Sequence, residues 1–395
     1  MIVRKTTAEE GKRVNELFAV AFEQNLENGP AEEEETGICH WAAFTDDTNE
    51  MMSTFSISDF SIQFDGHVCK MGGIGGVATL PQYRRRGGIR GCFERALPDM
   101  YREGYDFSYL YPFSTAYYRK FGYENCVRKY QTTVDLGLLN PPAATGSFRM
   151  AEPGDTMTEE IRLISREWEQ KYNMMVISED SDYEWADKTD PCGTLNFCYV
   201  YKNGEGAPRA YTVFHMENQS DGRNLVCTKF RFLDKDGFAG LMHLFKSLAA
   251  DHRLLKFELP AEPAMQYLMA EWSMGAASWT LSSGGMVRVV RVQDVLKKAR
   301  YIGSGSICLE IRDPQIPENN GCFAVRFENG TAVSAEKTEQ APDAVLSIPS
   351  FSAMISGICT FEEAAMWLDG VEIRNHGACF SQVFYRKNLM ITSYF

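Results

Sequence analysis

The chain has 395 residues, 44% hydrophobic and 24% charged, with a formal net charge of −13. That composition is ordinary for a soluble globular protein of two or three domains, and the acidic balance argues against a nucleic-acid binder. No run of 18 apolar residues is present, so no membrane span is expected.

MIVRKTTAEEGKRV lacks the apolar core and cleavage site of a secretory signal. The eleven cysteines are odd in number, scattered and without a Cys-x-x-Cys pair, and read as reduced thiols of a cytoplasmic protein. The six histidines are dispersed and no His-Glu-x-x-His occurs, so no metal site is expected. Residues 1–66 hold four Lys/Arg against fourteen Asp/Glu, a net −10, whereas residues 67–130 hold eleven against five, a net +6. If both segments line one cleft, it would hold a polyanion at one end and a cation at the other. The run Glu32 to Glu35 taken alone reads as a solvated loop.

Thr7-x-x-Glu10 is a capping box, and Val14, Leu17, Phe18, Ala21 and Phe22 follow at helical spacing. From Met51 to Val77 the pattern turns to strands, TFSISDFSIQF and HVCKMGGIGGVAT, joined by an Asp65-Gly66 hairpin turn. Ile89, Cys92, Phe93, Ala96, Leu97, Met100 and Tyr101 predict a second helix, with Pro98 expected to kink or divide it. FSYLY at 107–111 reads as a buried strand, which completes a βαβ unit in a mixed sheet.

A weaker echo follows about 150 residues on. A strand ends near Leu233, and a helix carries Phe238, Leu241, Met242, Phe245, Leu248 and Ala249 on one face. Residues 187–225 are strand-rich, and LLKFELP at 254–260 fits another strand. The last hundred residues alternate strands, a turn at Glu328-Asn329-Gly330 and the short helix FEEAAMWLDG, a compact α+β module. Boundaries are expected near 146 and 288, giving domains 1–146, 147–287 and 288–395.

The stretch GGVATLPQYRRRGGIRGCF, Gly75 to Phe93, is unlike the rest of the chain. Three phosphate-binding readings compete. Gly73-x-Gly75-x-x-Ala78 matches a dinucleotide fingerprint, but extended chain follows it instead of a helix, so its glycines read as a strand bulge or a close ligand approach. A Walker loop needs Gly-Lys-Ser/Thr, which is absent. The third reading places free amides where a helix begins at Gly87 and Gly88, with Arg84, Arg85, Arg86 and Arg90 around them, as a metal-free pyrophosphate cradle. A solvated arginine patch is the alternative, weakened by the strand, proline and periodic helix around it.

VATLPQYRRRGGIRGCF resembles motif A of the GCN5-related N-acetyltransferases (GNAT), Gln/Arg-x-x-Gly-x-Gly/Ala, met here by Arg84-x-x-Gly87-x-Ile89 except at Ile89. A bulky residue there resembles the Eis (enhanced intracellular survival) branch. Ser114 to Glu124, STAYYRKFGYE, is similar to that family's Tyr-x-x-Phe/Tyr-Gly-Tyr segment. The resemblance implies a mixed α/β (α+β) fold of two tandem acetyltransferase domains, the second degenerate, and a C-terminal domain like sterol carrier protein. It implies acetyl-CoA as co-substrate, no metal, a cationic primary amine as acceptor (a polyamine, aminoglycoside or lysine side chain), and a homohexamer.

By the same resemblance Tyr118 is the general acid towards the leaving thiolate, and the terminal carboxylate of Phe395 is the base. Tyr117, Phe121 and Tyr123 read as core aromatics instead. The apolar ending LMITSYF suits a buried terminus. Val77, Ala78 and Thr79 are expected to offer backbone groups to the pantetheine arm, Arg84 to Arg90 with Gly87, Gly88 and Ile89 to hold the pyrophosphate, and Phe113 and Ser114 to touch the cofactor. The competing reading is a non-catalytic acyl-CoA sensor or lipid binder using its last domain; a third, nucleic-acid binding through Arg84 to Arg90, is opposed by the surrounding negative charge.

Overall fold

The computed structural model describes residues 1–24, 37–152, 154, 157–219, 222–262, 264–282 and 284–391. They fall into two compact units, Met1–Val127 with Gly284–Lys387, and Arg128–Ser283 with Asn388–Met390.

The first unit opens with β1 (Ile2–Lys5). The Thr7–Glu10 box forms over a short 3-10 turn, Ala8–Glu10, rather than on the helix itself, and α1 (Gly11–Phe22) follows it directly. Val14 and Leu17 are its buried face, set against Ala42, Phe44, Met51, Ala78 and Leu80. The alternating segments become β2 (Ile38–Phe44), β3 (Met51–Phe64) and β4 (His67–Thr79). Asp65 and Gly66 make the β3–β4 turn with φ of 51° and 87°, the left-handed pair that a two-residue hairpin needs.

The next helix, α2 (Gly88–Arg102), runs unbroken through Pro98 and buries Cys92, Phe93, Ala96, Leu97 and Met100. Its apolar face is long enough to hold the helix together without the one hydrogen bond that proline removes. β5 (Phe107–Leu110) then pairs parallel with β4, completing the βαβ unit. A one-turn helix, α3 (Thr115–Arg119), and the short β6 (Glu124–Asn125) follow. Phe93 of α2 stacks on Phe121 at 4.3 Å and meets Phe55 of β3 at 4.9 Å, at the centre of this core.

The second unit is one seven-stranded sheet of β7 (Lys129–Asp135), β8 (Ser147–Met150), β9 (Asn196–Lys202), β10 (Pro208–Gln219), β11 (Gly222–Phe232), β12 (Leu254–Leu259) and β13 (Ala277–Ser282). Its order is β13-β7-β12-β11-β10-β9-β8. The helix Lys235–Ser247 covers one face with Phe214, Phe230 and Phe257, and the helix Thr158–Glu169 covers the other with Val200, Tyr211 and Val213. Alternating strand residues thus feed two separate cores. β11, the helix and β12 repeat the βαβ unit of the first sheet, with β11 and β12 parallel.

β14 (Met286–Val289) returns to the first unit and lies between β5 and β6, antiparallel to both, so the first sheet reads β1-β2-β3-β4-β5-β14-β6. Strand allocation therefore crosses the expected boundaries: β7, before 146, belongs to the second sheet, and β14, at 288, to the first. The remaining strands, β15 (Gly305–Arg312), β16 (Gly321–Glu328), β17 (Thr331–Thr338), β18 (Ala344–Ser347) and β19 (Val371–Ile373), form a third sheet ordered β17-β16-β15-β18-β19. Asn329 and Gly330, both at positive φ, make the β16–β17 turn.

A buried ion pair joins the first and third sheets. Arg288 on β14 is fully enclosed and binds both oxygens of Asp313, at 2.7 and 2.6 Å, while its other terminal nitrogen donates to the carbonyl of Phe121. Asp313 also accepts from the backbone N–H of Gln315 and Ile316 and from Asn319 Nδ2. Gly122 is obligatory beside it, because a Cβ there would lie 1.7 Å from Arg288 Nη1. A second enclosed pair, Lys387 Nζ to Asp65 Oδ2 at 2.6 Å, ties the β3–β4 turn to the end of the same unit. Breaking such a pair from one side strands a charge. Asp313→Ala should therefore lower the unfolding free energy by about 3–5 kcal/mol, measured by urea denaturation, and Arg288→Met with Asp313→Leu should cost less than Asp313→Ala alone.

Candidate active site

β4 has β5 as a neighbour from Met71 to Ile74 only; beyond the Ile74–Leu110 pair it runs on to Thr79 bonded to β3 alone. A bulge interrupts its register with β3 between Thr54 and Ser56, and Gly76 sits there at φ 58°. A Cβ on Gly76 would lie 2.5 Å from the Phe18 ring of α1, so glycine is needed for both conformation and space. Gly73 and Gly75, which match a dinucleotide fingerprint, are thus strand residues paired with Ser58 and Ser56, and the bulge falls on the next residue, Gly76. Val77, Ala78 and Thr79 lie on the free-running segment, where one side of the backbone has no strand partner among the described residues.

After Thr79 the chain makes a 3-10 turn, Pro81–Tyr83, passes Arg85 at φ 64°, and reaches Gly87, which caps α2 at φ 85°. No side chain caps this helix. Its first-turn amides are therefore unfilled donors at the positive end of the helix dipole. Space around Gly87 is open, with no atom within 4 Å of where its Cβ would be. Gly88 differs, because its missing Cβ would meet Ser53 Oγ at 2.3 Å and Ser53 Cβ at 2.9 Å. Its small size seats the helix on β3. Ser53 also accepts from Thr79 Oγ1 at 2.9 Å, so one buried hydroxyl locks the helix start to the strand end. The sequence reading missed Ser53, which lies thirty-five positions from Gly88 with no local signal to mark it.

Arg84, Arg85, Arg86 and Arg90 are all exposed, and among the described residues none has a carboxylate partner. Arg86 rests over the Tyr83 ring, 5.3 Å from its centroid. Ile89 is buried in the core beneath α2, which accounts for a bulky residue at that motif position.

Tyr118 lies on α3, whose N-cap is Ser114, accepting from the Tyr117 N–H at 3.4 Å. Its ring is 2% exposed and meets Phe113, Tyr117 and Phe93 edge-on at 5.4, 5.3 and 6.0 Å. Its hydroxyl has no hydrogen-bond partner among the described residues, whereas that of Tyr123 is tied to Ser108 Oγ at 2.7 Å. Burial, with smaller effects from Tyr117 and Tyr123, raises the Tyr118 pKa, so the phenol keeps its proton at neutral pH. Phe113 is 73% exposed, an open ring beside Tyr117 and Tyr118. Phe395 and the Glu32 to Glu35 run lie outside the described residues; Leu389, Met390 and Ile391 just before the chain's end are buried.

Strands parting near a bulge, an uncapped helix start, unpaired arginines and a buried phenol together make a candidate acyl-transfer site. Residues 2–126 match the acetyltransferase (GNAT) domain family, and residues 292–377 match the sterol carrier protein domain family. The chain thus carries a GNAT acetyltransferase domain over residues 2–126 and a sterol carrier protein domain over residues 292–377. No curated protein matches it in sequence. Its fold is that of a probable N-acyltransferase from Enterococcus faecalis V583 (TM-score 0.85, 22% identity, 100% of this chain and 99% of that one). It is also that of a GCN5-related N-acetyltransferase from Anabaena variabilis (TM-score 0.83, 16% identity, 100% of both chains) and of Eis1 from Mycobacterium abscessus (TM-score 0.80, 16% identity, 100% of both chains).

The two glycines of the cradle should fail differently. Gly88→Ala overpacks β3 and should cost about 1–3 kcal/mol of stability, largely returned by Ser53→Gly in the same chain. Gly87→Ala meets no neighbour and should cost only the left-handed strain, about 1–2 kcal/mol. Urea denaturation of the three variants separates these effects.

Proposed function

We propose that the chain is an acetyl-CoA-dependent N-acetyltransferase that acetylates a primary amine of a cationic small molecule by direct attack on the thioester. The observation that carries this is the set of unfilled α2 amides and unpaired arginines standing where β4 leaves β5. The cradle fits a diphosphate: Gly87 leaves room, the first-turn N–H groups donate, and Arg84, Arg85, Arg86 and Arg90 supply charge. Val77, Ala78 and Thr79 would pair with the extended pantetheine arm as a strand pairs with its neighbour, since their β5-facing groups are free. Phe113 and Ser114, which adjoin Tyr117 and Tyr118, would also touch the cofactor.

Amine acetylation needs a proton for the departing thiolate. Tyr118 is the group in the site that holds one and has no competing partner for it. Its raised pKa makes it a weaker acid than a free phenol, but a thiolate released beside the same aromatic wall is likewise deprived of water and becomes a stronger base. The two therefore remain matched for transfer. The acceptor class, a polyamine, an aminoglycoside or a lysine side chain, follows from the acidic N-terminal segment, whose charge attracts ammonium groups.

Incubation with acetyl-CoA and a panel of polyamines and aminoglycosides, followed by free-thiol release, tests the activity; no thiol release with any amine, despite tight coenzyme A binding, overturns it. Tyr118→Phe should lower kcat by about 10²- to 10⁴-fold while leaving the Kd for coenzyme A within about twofold of the parent, a shape-preserving change that removes only the proton. Arg84→Met and Arg90→Met should instead weaken coenzyme A binding, by about tenfold for each charge-assisted hydrogen bond lost, and more at low ionic strength than at high.

A further inference from the structure

The second unit repeats the strand–helix–strand module of the first but blocks its anion site. At the start of the helix Lys235–Ser247 the side chain of Asp234 caps the first turn, accepting from the Gly237 N–H at 2.8 Å. A carboxylate already occupies the place where α2 is open. The strands nevertheless part in the same way. The parallel pairing of β11 with β12 ends at Val226 and Lys256, and β11 continues to Phe232.

On that continuing segment lie two cations, Lys229 and Arg231. They are two residues apart, opposite Val213 and Tyr211, and so share the face covered by the helix Thr158–Glu169. The Arg231 guanidinium lies 3.9 Å from the centroid of the Trp168 ring, and Lys229 Nζ lies 5.1 Å from that of Trp185. Trp168 packs on Tyr172 at 4.6 Å, and Trp185 faces Tyr211 at 6.5 Å. Both cations are half-buried, and among the described residues neither forms an ion pair.

The carboxylates nearest to them are committed elsewhere. Glu169 accepts from Ser178 Oγ at 2.6 Å and from the Tyr183 hydroxyl at 3.4 Å. Asp182 accepts from the Glu179 N–H at 2.7 Å, and Glu258 faces Gln131 and Lys129 at 3.5 and 3.8 Å. Burial, and then the charge of Arg231, pushes the Lys229 pKa down, while Tyr211 and Glu169 offset only part of the burial of Arg231. The indole faces compensate each cation singly. They do nothing for the repulsion between the two, which a shared counter-ion would relieve.

We propose that Lys229 and Arg231 form an oxyanion-binding site on β11, taking the carboxylate or phosphate of a small molecule whose body lies against the partly exposed ring of Trp185, while the buried Trp168 backs Arg231 from the core. The charged contact is made by strand side chains in place of helix amides. The site is independent of coenzyme A binding by the first unit.

Isothermal titration of the full-length protein with inorganic phosphate and, separately, with benzoate tests this and distinguishes the two oxyanion sources. At least one probe should bind saturably, at concentrations where chloride has no effect. Lys229→Met and Arg231→Met should each weaken that binding at least tenfold, and Arg90→Met, in the first unit, should leave it in place. Without added anion, Lys229→Met should melt no lower than the parent, because an uncompensated ammonium has been removed. Absence of saturable binding by both probes overturns the proposal. So does binding lost in Arg90→Met but kept in Lys229→Met, or a Lys229→Met protein that melts well below the parent, which would make the ammonium a structural group.

Discussion

β4 keeps β5 as a hydrogen-bonded neighbour only as far as Ile74 and then runs on to Thr79 beside β3 alone. Backbone polar groups left without a partner must be satisfied by solvent or ligand, so a strand edge opened inside a sheet is a place for an extended molecule to lie. The bulge at Gly76 turns the segment, Phe18 holds the bulge from below, and Ser53 fastens both the strand end and the helix start. Further along α2, Phe93 meets the Tyr118 ring at 6.0 Å, so the helix that begins at the cradle also packs against the phenol.

The two units show what the sequence does with one module used twice. Both have a strand that outlasts its parallel neighbour and a helix that follows. In the first, glycine at the helix cap leaves the donors open; in the second, Asp234 fills them. One residue type at one cap position separates a helix start with open donors from one whose donors are filled, since a fixed carboxylate both occupies the N–H groups and repels an anion. The difference between the two helix starts is therefore local and electrostatic and needs no change of fold.

Much of this was legible in the chain because it is local. The Asp65-Gly66 turn, the α2 periodicity, the Arg-Gly run and the strand reading of Gly73 to Ala78 depend on residues within a few positions of one another. What escaped is long-range. The strand Met286–Val289 reads as the start of the last module, yet it completes the first sheet, because a run of four buried residues carries no label for the sheet it joins. Pro98 is expected to kink or divide the helix, yet the helix continues undivided through it. Gly88 reads as a phosphate glycine, and the sequence does not show that a Cβ there would also collide with Ser53. In each case the deciding neighbour is remote in sequence, where propensity has nothing to say.

The placement of β14 has an evolutionary side. Residues 2–126 are what family likeness marks out as the acetyltransferase domain, but that segment lacks a strand of its own sheet, supplied from position 286 onward and anchored by Arg288 to Asp313 in the module beyond. A gene fragment ending at 126 would encode a protein with β5 and β6 each missing a partner, two raw edges open to pairing with other chains. The C-terminal module follows directly on the strand that completes that sheet and holds it through Asp313, so removing the module leaves Arg288 buried without its carboxylate.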